Sequence, residues 1–279
     1  MGYKFQFSVC MNVYHKDDPD NFQTAFTSIV NQTVKPDQIV LVVDGPIPEK
    51  LDAVIRGFAS CEELQVIRLE ENQGLGKARG IGLAACKYPL VAMMDADDIS
   101  VSDRFERQLE VFAENPALSI VGGQITEFID DPTNIVGCRE VPITDAQIKK
   151  RIRGRNPMNH VTVMLKLQDV VQAGGYQDWL YHEDYFLWIR MAAAGMQFAN
   201  VPQVLVNVRI GEQMYQRRGG WKYFMAGYRL QKYMLDNGMS NALIFSLNVA
   251  RRFLVQIAMP NSLRGWIYRK FARTHRGKK

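Results

Sequence analysis

Two acidic clusters carry the chemistry that can be read from this chain. Met93-Met94-Asp95-Ala96-Asp97-Asp98 closes an apolar run, and His182-Glu183-Asp184 opens the helical stretch from Tyr185 to Arg190. Three carboxylates within four residues cannot all be buried unpaired, because stripping water from an ionised group costs on the order of several kcal/mol. A cation is therefore expected beside them. On an extended segment Asp95 and Asp97 project to the same side, while Asp98 either turns back to support them or caps the next helix. Hard cations such as Mg2+ or Mn2+ take oxygen ligands, and one or two carboxylates suffice when a diphosphate supplies the remaining oxygens. Glu183 and Asp184 form a separate acidic site, suited to a general base or to the positive end of a helix dipole.

Such residues must be held by regular elements. Over the first 125 residues strand-like and helix-like segments alternate, the pattern of an α/β fold with a central, mainly parallel sheet flanked by helices. Strands are expected over 5–11, 38–43, 64–69 and 90–94, and helices over 21–31, 49–58, 74–86 and 102–114, the last capped by Ser100 or Ser102. In open sheets of this kind the strand C-termini border the ligand crevice, so Asp44, Asn72 and Asp95 to Asp98 should meet on one edge. From about Gly122 the pattern loosens. Loops are expected at 130–132 and 154–157, helices over 144–152 and 183–194, and strands over 160–166 and 203–208. Leu187, Trp188 and Met191 fall at helical spacing and should pack into the core.

The chain has 279 residues, 47% of them hydrophobic, enough for a full core. Cys10, Cys61, Cys86 and Cys138 are scattered with no C-x-x-C pair, which excludes a zinc ribbon and a disulfide framework and fits a reducing cytosol. No basic segment precedes a long apolar run, so neither a signal peptide nor a spanning helix is expected. The net charge of +5 is unevenly spread: after Asp236 come nine Lys/Arg and no acid, leaving 25 Lys/Arg against 29 Asp/Glu up to and including it. In that tail aromatic and aliphatic residues interleave with cations, as in helices that lie on anionic membranes; a solvated helical end is the plainer alternative. Nucleic acid is not an expected partner, because the acidic remainder would repel phosphate backbones.

The stretch Asn72-Gln-Gly-Leu-Gly-Lys77-Ala-Arg79-Gly80 looks like a phosphate-binding glycine loop. Its acid, Asp44, precedes the glycines, the wrong order for a dinucleotide fold, and Ala78 follows Gly76-Lys77 where a nucleoside-triphosphate loop needs Ser or Thr. Met214 to Trp221 is a second basic, glycine-containing loop, in which Arg217 or Arg218 could grip two phosphate oxygens at once or simply face solvent. His160 and His182 are open between structural and pocket-lining roles.

Taken together, Val9-Cys-Met-Asn-Val-Tyr14, Asp44, Asn72-x-Gly-x-x-x-Ala-Arg79, Asp95-x-Asp97-Asp98, Gly174-Gly175-Tyr176 and Glu183-Asp184-x-x-Leu187-Trp188-x-Arg190 resemble family 2 glycosyltransferases of the GT-A fold over about residues 5–230. The resemblance implies a nucleotide-sugar-binding half at 1–122, an acceptor-binding and catalytic half at 123–235, and a basic amphipathic helical tail at 236–279. It implies that Asp44 contacts the uracil or ribose of a UDP-sugar, that Asn72, Lys77 and Arg79 lie on the nucleotide side, and that Asp95 approaches the ribose or donor sugar. Asp97, with Asp95, would ligate Mn2+ or Mg2+ bridging the diphosphate, and Arg217 and Arg218 would reach a diphosphate. Asp184 would be the general base, with Glu183 orienting the acceptor or Asp184 itself. His160, Gly175, Tyr176, Trp179 and His182 would line the acceptor side. Within the family the chain is most similar to bacterial O-antigen and exopolysaccharide transferases of the amylovoran galactosyltransferase type. That implies inversion at the sugar, a galactose donor, a sugar on a polyprenyl diphosphate as acceptor, and a peripheral place on the inner face of the cytoplasmic membrane. UDP-glucose and UDP-N-acetylhexosamine are alternative donors, and a non-catalytic GT-A scaffold is the competing class.

Overall fold

Strand β2 (Gln38–Val43) is buried at every position, as is β4 (Leu90–Met94), because both faces of the sheet around them are covered. The computed structural model describes residues 5–179, 181–211 and 219–259. Its sheet has nine strands among those residues, in the order β3-β2-β1-β4-β8-β6-β9-β5, with β7 paired to β6. Strand β1 (Phe7–Val13) lies parallel to both β2 and β4, and β3 (Leu64–Arg68) parallel to β2. Antiparallel β8 (Met164–Lys166) then separates β4 from β6 (Leu118–Phe128), which runs parallel to β9 (Gln197–Arg209). Six strands thus point one way, and the short β5 (Ile99–Ser100), β7 (Ile135–Arg139) and β8 oppose them.

Helices α1 (Pro19–Val30), α2 (Glu49–Gly57) and α4 (Arg104–Glu114) cover one face of the sheet, where Phe22, Phe26, Phe105 and Leu109 are fully buried. The start of α1 follows from its sequence: the Asp18 side chain accepts the N–H groups of Asp20 and Asn21 at 3.0 Å, and Pro19 occupies the first turn. The opposite face carries α3 (Leu75–Ala85), α5 (Asp145–Ile152), the short α6 (Leu167–Gln172), α7 (Glu183–Ala193) and α8 (Trp221–Asp236). Every residue of α7 from Tyr185 to Met191 is buried, so Leu187, Trp188 and Met191 pack into the core as expected. Helix α9 (Ala242–Phe253) buries none of its own residues and rests on α8 through Tyr228–Phe245 and Phe224–Phe253 ring contacts. It ends in a π-helical turn, Leu254–Ala258. Among the described residues no helix is long and apolar enough to cross a membrane.

Two sequence expectations need correction. The cap of α4 is Asp103, not Ser100 or Ser102, since Ser100 belongs to β5 and its N–H donates to Ser28 Oγ at 3.0 Å. The loosening at Gly122 is instead the middle of β6, an eleven-residue strand that runs through Gly122 and Gly123. The two glycines there are needed by packing: a Cβ on Gly122 would lie 2.4 Å from Asn200 Oδ1, and one on Gly123 2.6 Å from Leu205.

Candidate active site

Because the six co-directional strands end on one edge, the loops after β1, β2, β4 and β9 gather there. Asp44, directly after β2, accepts the N–H of Gln73 at 2.7 Å and of Gly74 at 3.1 Å, while Asn72 Nδ2 donates to the Asp44 carbonyl at 3.1 Å. Gly74 makes this wrap possible with a φ of +83°, a conformation that side chains resist. Asp44 and Asn72 therefore meet as expected, with the Asp44 carboxylate holding the glycine loop in place. Lys77 is exposed on the first turn of α3.

Arg79, one turn further, is the organising cation of the crevice. Its side chain is only 6% exposed and its guanidinium spans two carboxylates, Asp95 Oδ1 at 3.0 Å and Glu183 Oε1 at 3.1 Å. Burial works against that charge, but Asp95, then Tyr176, Glu183 and Asp184, outweigh it and hold the guanidinium above its usual range. The two acidic clusters, read as separate from sequence, are thus joined through one side chain. A second cation, Arg209 at the end of β9, was not singled out from sequence. Its backbone N–H donates to Asp98 Oδ1 at 2.8 Å and its Nε to the Asp97 carbonyl at 3.3 Å. Asp98 consequently holds β9 instead of capping a helix, and burial, then Asp97 and Asp95, push its carboxyl well above the ordinary range. Below them lies Arg104, with no exposed surface, donating to the Met93 carbonyl at 2.8 Å; burial draws its guanidinium down to about 9.

Asp97 keeps a surface open to solvent inside this enclosed edge. Desolvation by the surrounding walls, then the charge of Asp95, raises its carboxyl to about 6. Asp17, on the loop after β1, rises to about 7, chiefly by burial and also through Asp97 and Asp95. An uncompensated negative field of this kind fits a divalent ion with oxygen ligands. Among the described residues no group of three or more acids, histidines or cysteines closes around an ion, so Asp97 and Asp95 would supply only part of its shell and a substrate diphosphate the rest.

Across Arg79 stands the first turn of α7. Asp184 Oδ2 accepts Asn156 Nδ2 at 2.8 Å and its Oδ1 accepts the Tyr185 N–H at 2.6 Å. Burial, then Asp184, raises the carboxyl of Glu183, and Arg79 opposes both. His160 Nε2 and Tyr176 Oη lie 2.7 Å apart. Burial, with Arg79 and Arg104 nearby, keeps His160 neutral well below its usual range, so it presents no cation to a phosphate. Gly175 belongs to a turn with φ values of +84° and +63° at Gly174 and Gly175, whose carbonyl accepts Arg190 Nη2 at 2.5 Å. The Trp179 ring lies tilted against Phe186, 4.0 Å between centroids, and its Nε1 donates to the Ala226 carbonyl at 3.2 Å, and buried His182 packs 5.0 Å from the Tyr223 ring. Gly175, Trp179 and His182 thus pack the turn before α7 against α7 and α8, while His160 and Tyr176 lie together near Arg79. Asn156, which sequence reasoning left in a loop, is the partner it missed; only its place just before the Pro157 to His160 run hinted at it. Arg217 and Arg218 lie outside the described residues.

The family model "Glycosyl transferase family 2" matches residues 8–174. The chain is 37% identical to the amylovoran biosynthesis glycosyltransferase AmsE of Erwinia amylovora over 86% of its length and 91% of that protein. It is 34% identical to an Escherichia coli UDP-Gal:alpha-D-GlcNAc-diphosphoundecaprenol beta-1,3-galactosyltransferase over 96% of its length and 97% of that protein. In fold it is similar to S. aureus TarS residues 1–349, solved in complex with UDP-GlcNAc, with a TM-score of 0.68 and 14% identity, covering 95% of this chain and 79% of that one. With Asp95 tied through Arg79 to the Glu183-Asp184 helix start, on this sheet order and within a match of that extent, one assignment is left: the chain is a glycosyltransferase and belongs to glycosyl transferase family 2.

Proposed function

We propose that this protein transfers one sugar, with galactose the favoured donor, from a UDP-sugar to a sugar on a polyprenyl-diphosphate carrier, with inversion and with the help of Mn2+ or Mg2+. The observation that carries the reading is Arg79, which ties Asp95 on the donor edge to Glu183 beside Asp184 and so places the two carboxylate groups in one crevice. The names of the similar galactosyltransferase and amylovoran transferase support the donor and carrier.

In this reading Asp184 accepts the proton of the attacking hydroxyl at the carboxylate oxygens that Asn156 and Tyr185 already orient. Attack comes from the face opposite the departing UDP, so an α-linked donor gives a β-glycoside. Asp97, with Asp95, would hold the divalent ion, which when bound supplies charge neutralisation to the leaving diphosphate. Arg79 balances Asp95 and Glu183, leaving Asp184 free to take the proton. Arg217 and Arg218, in the basic stretch that precedes α8 in sequence, would add phosphate contacts.

The carrier lipid would be met at a membrane. Outward along α9 and its π-helical end run Leu243, Leu247 and Leu254, each about 60% or more exposed (68%, 62% and 59%), with no acid after Asp236. An apolar stripe flanked by cations suits the inner face of an anionic bilayer.

The test is transfer from a panel of radiolabelled UDP-sugars to a synthetic N-acetylhexosamine-diphosphate-lipid, with Mn2+ or with chelator, and with Asp184→Asn in parallel. Metal-dependent transfer of one sugar is expected, falling by about 10²-fold or more in Asp184→Asn while UDP binding is retained. Undiminished transfer in that variant would remove Asp184 from the role of base.

A further inference from the structure

We infer that Asn156 is the positioning residue of this enzyme, holding the Asp184 carboxylate in the orientation in which it receives a proton; the inference rests on Asp184 being the base. The amide of Asn156 has only one orientation open to it. Its Oδ1 accepts the Met158 N–H at 3.1 Å, so its Nδ2 must face Asp184 Oδ2, 2.8 Å away. The backbone that presents the amide is equally constrained. Pro157 follows and restricts Asn156 to extended conformations. The Asn156 carbonyl accepts Arg139 Nη2 at 3.0 Å, and the turn is seated in the core through Met158 and Asn159, which are 0% and 1% exposed.

The approach from behind is held as well. Asn248 of α9 donates to the Arg153 carbonyl at 3.0 Å, and Arg251 to the Gly154 carbonyl at 3.1 Å. Strand β7 and α9 therefore hold the backbone that leads into and carries Asn156, whose Nδ2 donates to a half-buried carboxylate. With Tyr185 N–H on the other oxygen, Asp184 is held at both ends, and each oxygen keeps a lone pair for the acceptor hydroxyl. A base aligned in this way reacts faster because little orientation remains to be found in the transition state.

The discriminating experiment uses the full chain with Asn156→Ala and Asn156→Asp. The aspartate is nearly isosteric and can still accept the Met158 N–H, so the turn keeps its shape, but it sets an acceptor against Asp184 where a donor stood. Steady-state transfer at pH 8 should show kcat lowered about 10- to 100-fold in Asn156→Ala and further in Asn156→Asp, with KM for the UDP-sugar and Kd for UDP within about twofold of the parent. A kcat within about twofold of the parent in either variant overturns the proposal. So does better activity in Asn156→Asp than in Asn156→Ala, or loss of UDP binding in both, since each of these means that the residue only supports packing. Asp184→Asn, run alongside, separates the two ideas: if it still transfers sugar the base assignment falls, whereas an inactive Asp184→Asn beside fully active Asn156 variants removes Asn156 alone.

Discussion

Arg79 is a buried cation serving two carboxylates, and lysine could not replace it, because a single ammonium lacks the planar fork that reaches Asp95 and Glu183 from separate nitrogens. Asp17 shows the opposite condition, an acid whose ionised form is disfavoured first by burial and then by the charges of Asp97 and Asp95. Its folded-state carboxyl titrates near 7 against 3.8 for the free group, so between those values the folded chain holds a proton that the unfolded chain has lost. Stability therefore falls as pH rises through that window, and the penalty is complete above it. Asp17→Asn keeps an oxygen to accept the Tyr14 N–H, which Asp17 Oδ2 takes at 2.9 Å, and removes the charge. Its melting temperature should exceed the parent's at pH 8 and converge with it near pH 4. A gap of equal size at both pH values would show that Asp17 does not carry this pH dependence.

At the scale of elements, β6 is the member on which the site depends most, because it lies between β8, which pairs with β4 ahead of the acidic loop, and β9, which brings Arg209 to Asp98. Its glycines allow the Asn200 and Leu205 side chains to cross the strand. In Gly122→Ala the new methyl would meet Asn200 Oδ1 at 2.4 Å and Met158 Cε at 2.9 Å. Overpacking of this kind costs roughly 1–3 kcal/mol. In a chain of this size that corresponds to a drop in melting temperature of about 2–10 °C. Gly57→Ala, at the end of α2 with open space around it, should change the melting temperature little. Equal melts for Gly122→Ala and the parent would mean that the packing around β6 yields at no cost.

For the whole molecule, formal charge is divided along the sequence, with 25 Lys/Arg against 29 Asp/Glu up to Asp236 and nine Lys/Arg without an acid after it, so under the proposed membrane reading an anionic surface would repel the first part and attract the second. Vesicles of phosphatidylethanolamine and phosphatidylglycerol should therefore bind the full chain and bind Leu243→Ser/Leu247→Ser/Leu254→Ser more weakly in sedimentation, with transfer to a short-chain soluble acceptor unaffected. Full sedimentation of the triple variant would show that α9 is not the membrane contact. Helix α9 also touches the segment that leads to Asn156, through the bonds of Asn248 and Arg251 to the Arg153 and Gly154 carbonyls.

Local pattern was enough to identify β2, β4, a helix over 144–152 and the helix that opens at Glu183, because each records its period or its burial in consecutive residues. It was also enough to bring Asp44, Asn72 and Asp95 to Asp98 to one edge, since strand direction follows from the alternation of strand and helix. β6 escaped notice because Gly122, Gly123, Gln124 and Glu127 look like a loop until one sees that their burial is paid by side chains far along the chain. The pairing of Arg79 with both Asp95 and Glu183, the support of Asp98 by Arg209 and the bond from Asn156 to Asp184 join residues 16 to 111 positions apart. The sequence by itself determined which groups could do the chemistry and the family to which they belong. Tertiary structure alone decided which of them meet, because a hydrogen bond between distant residues depends on distance and direction, and neither is written in the spacing of residue types.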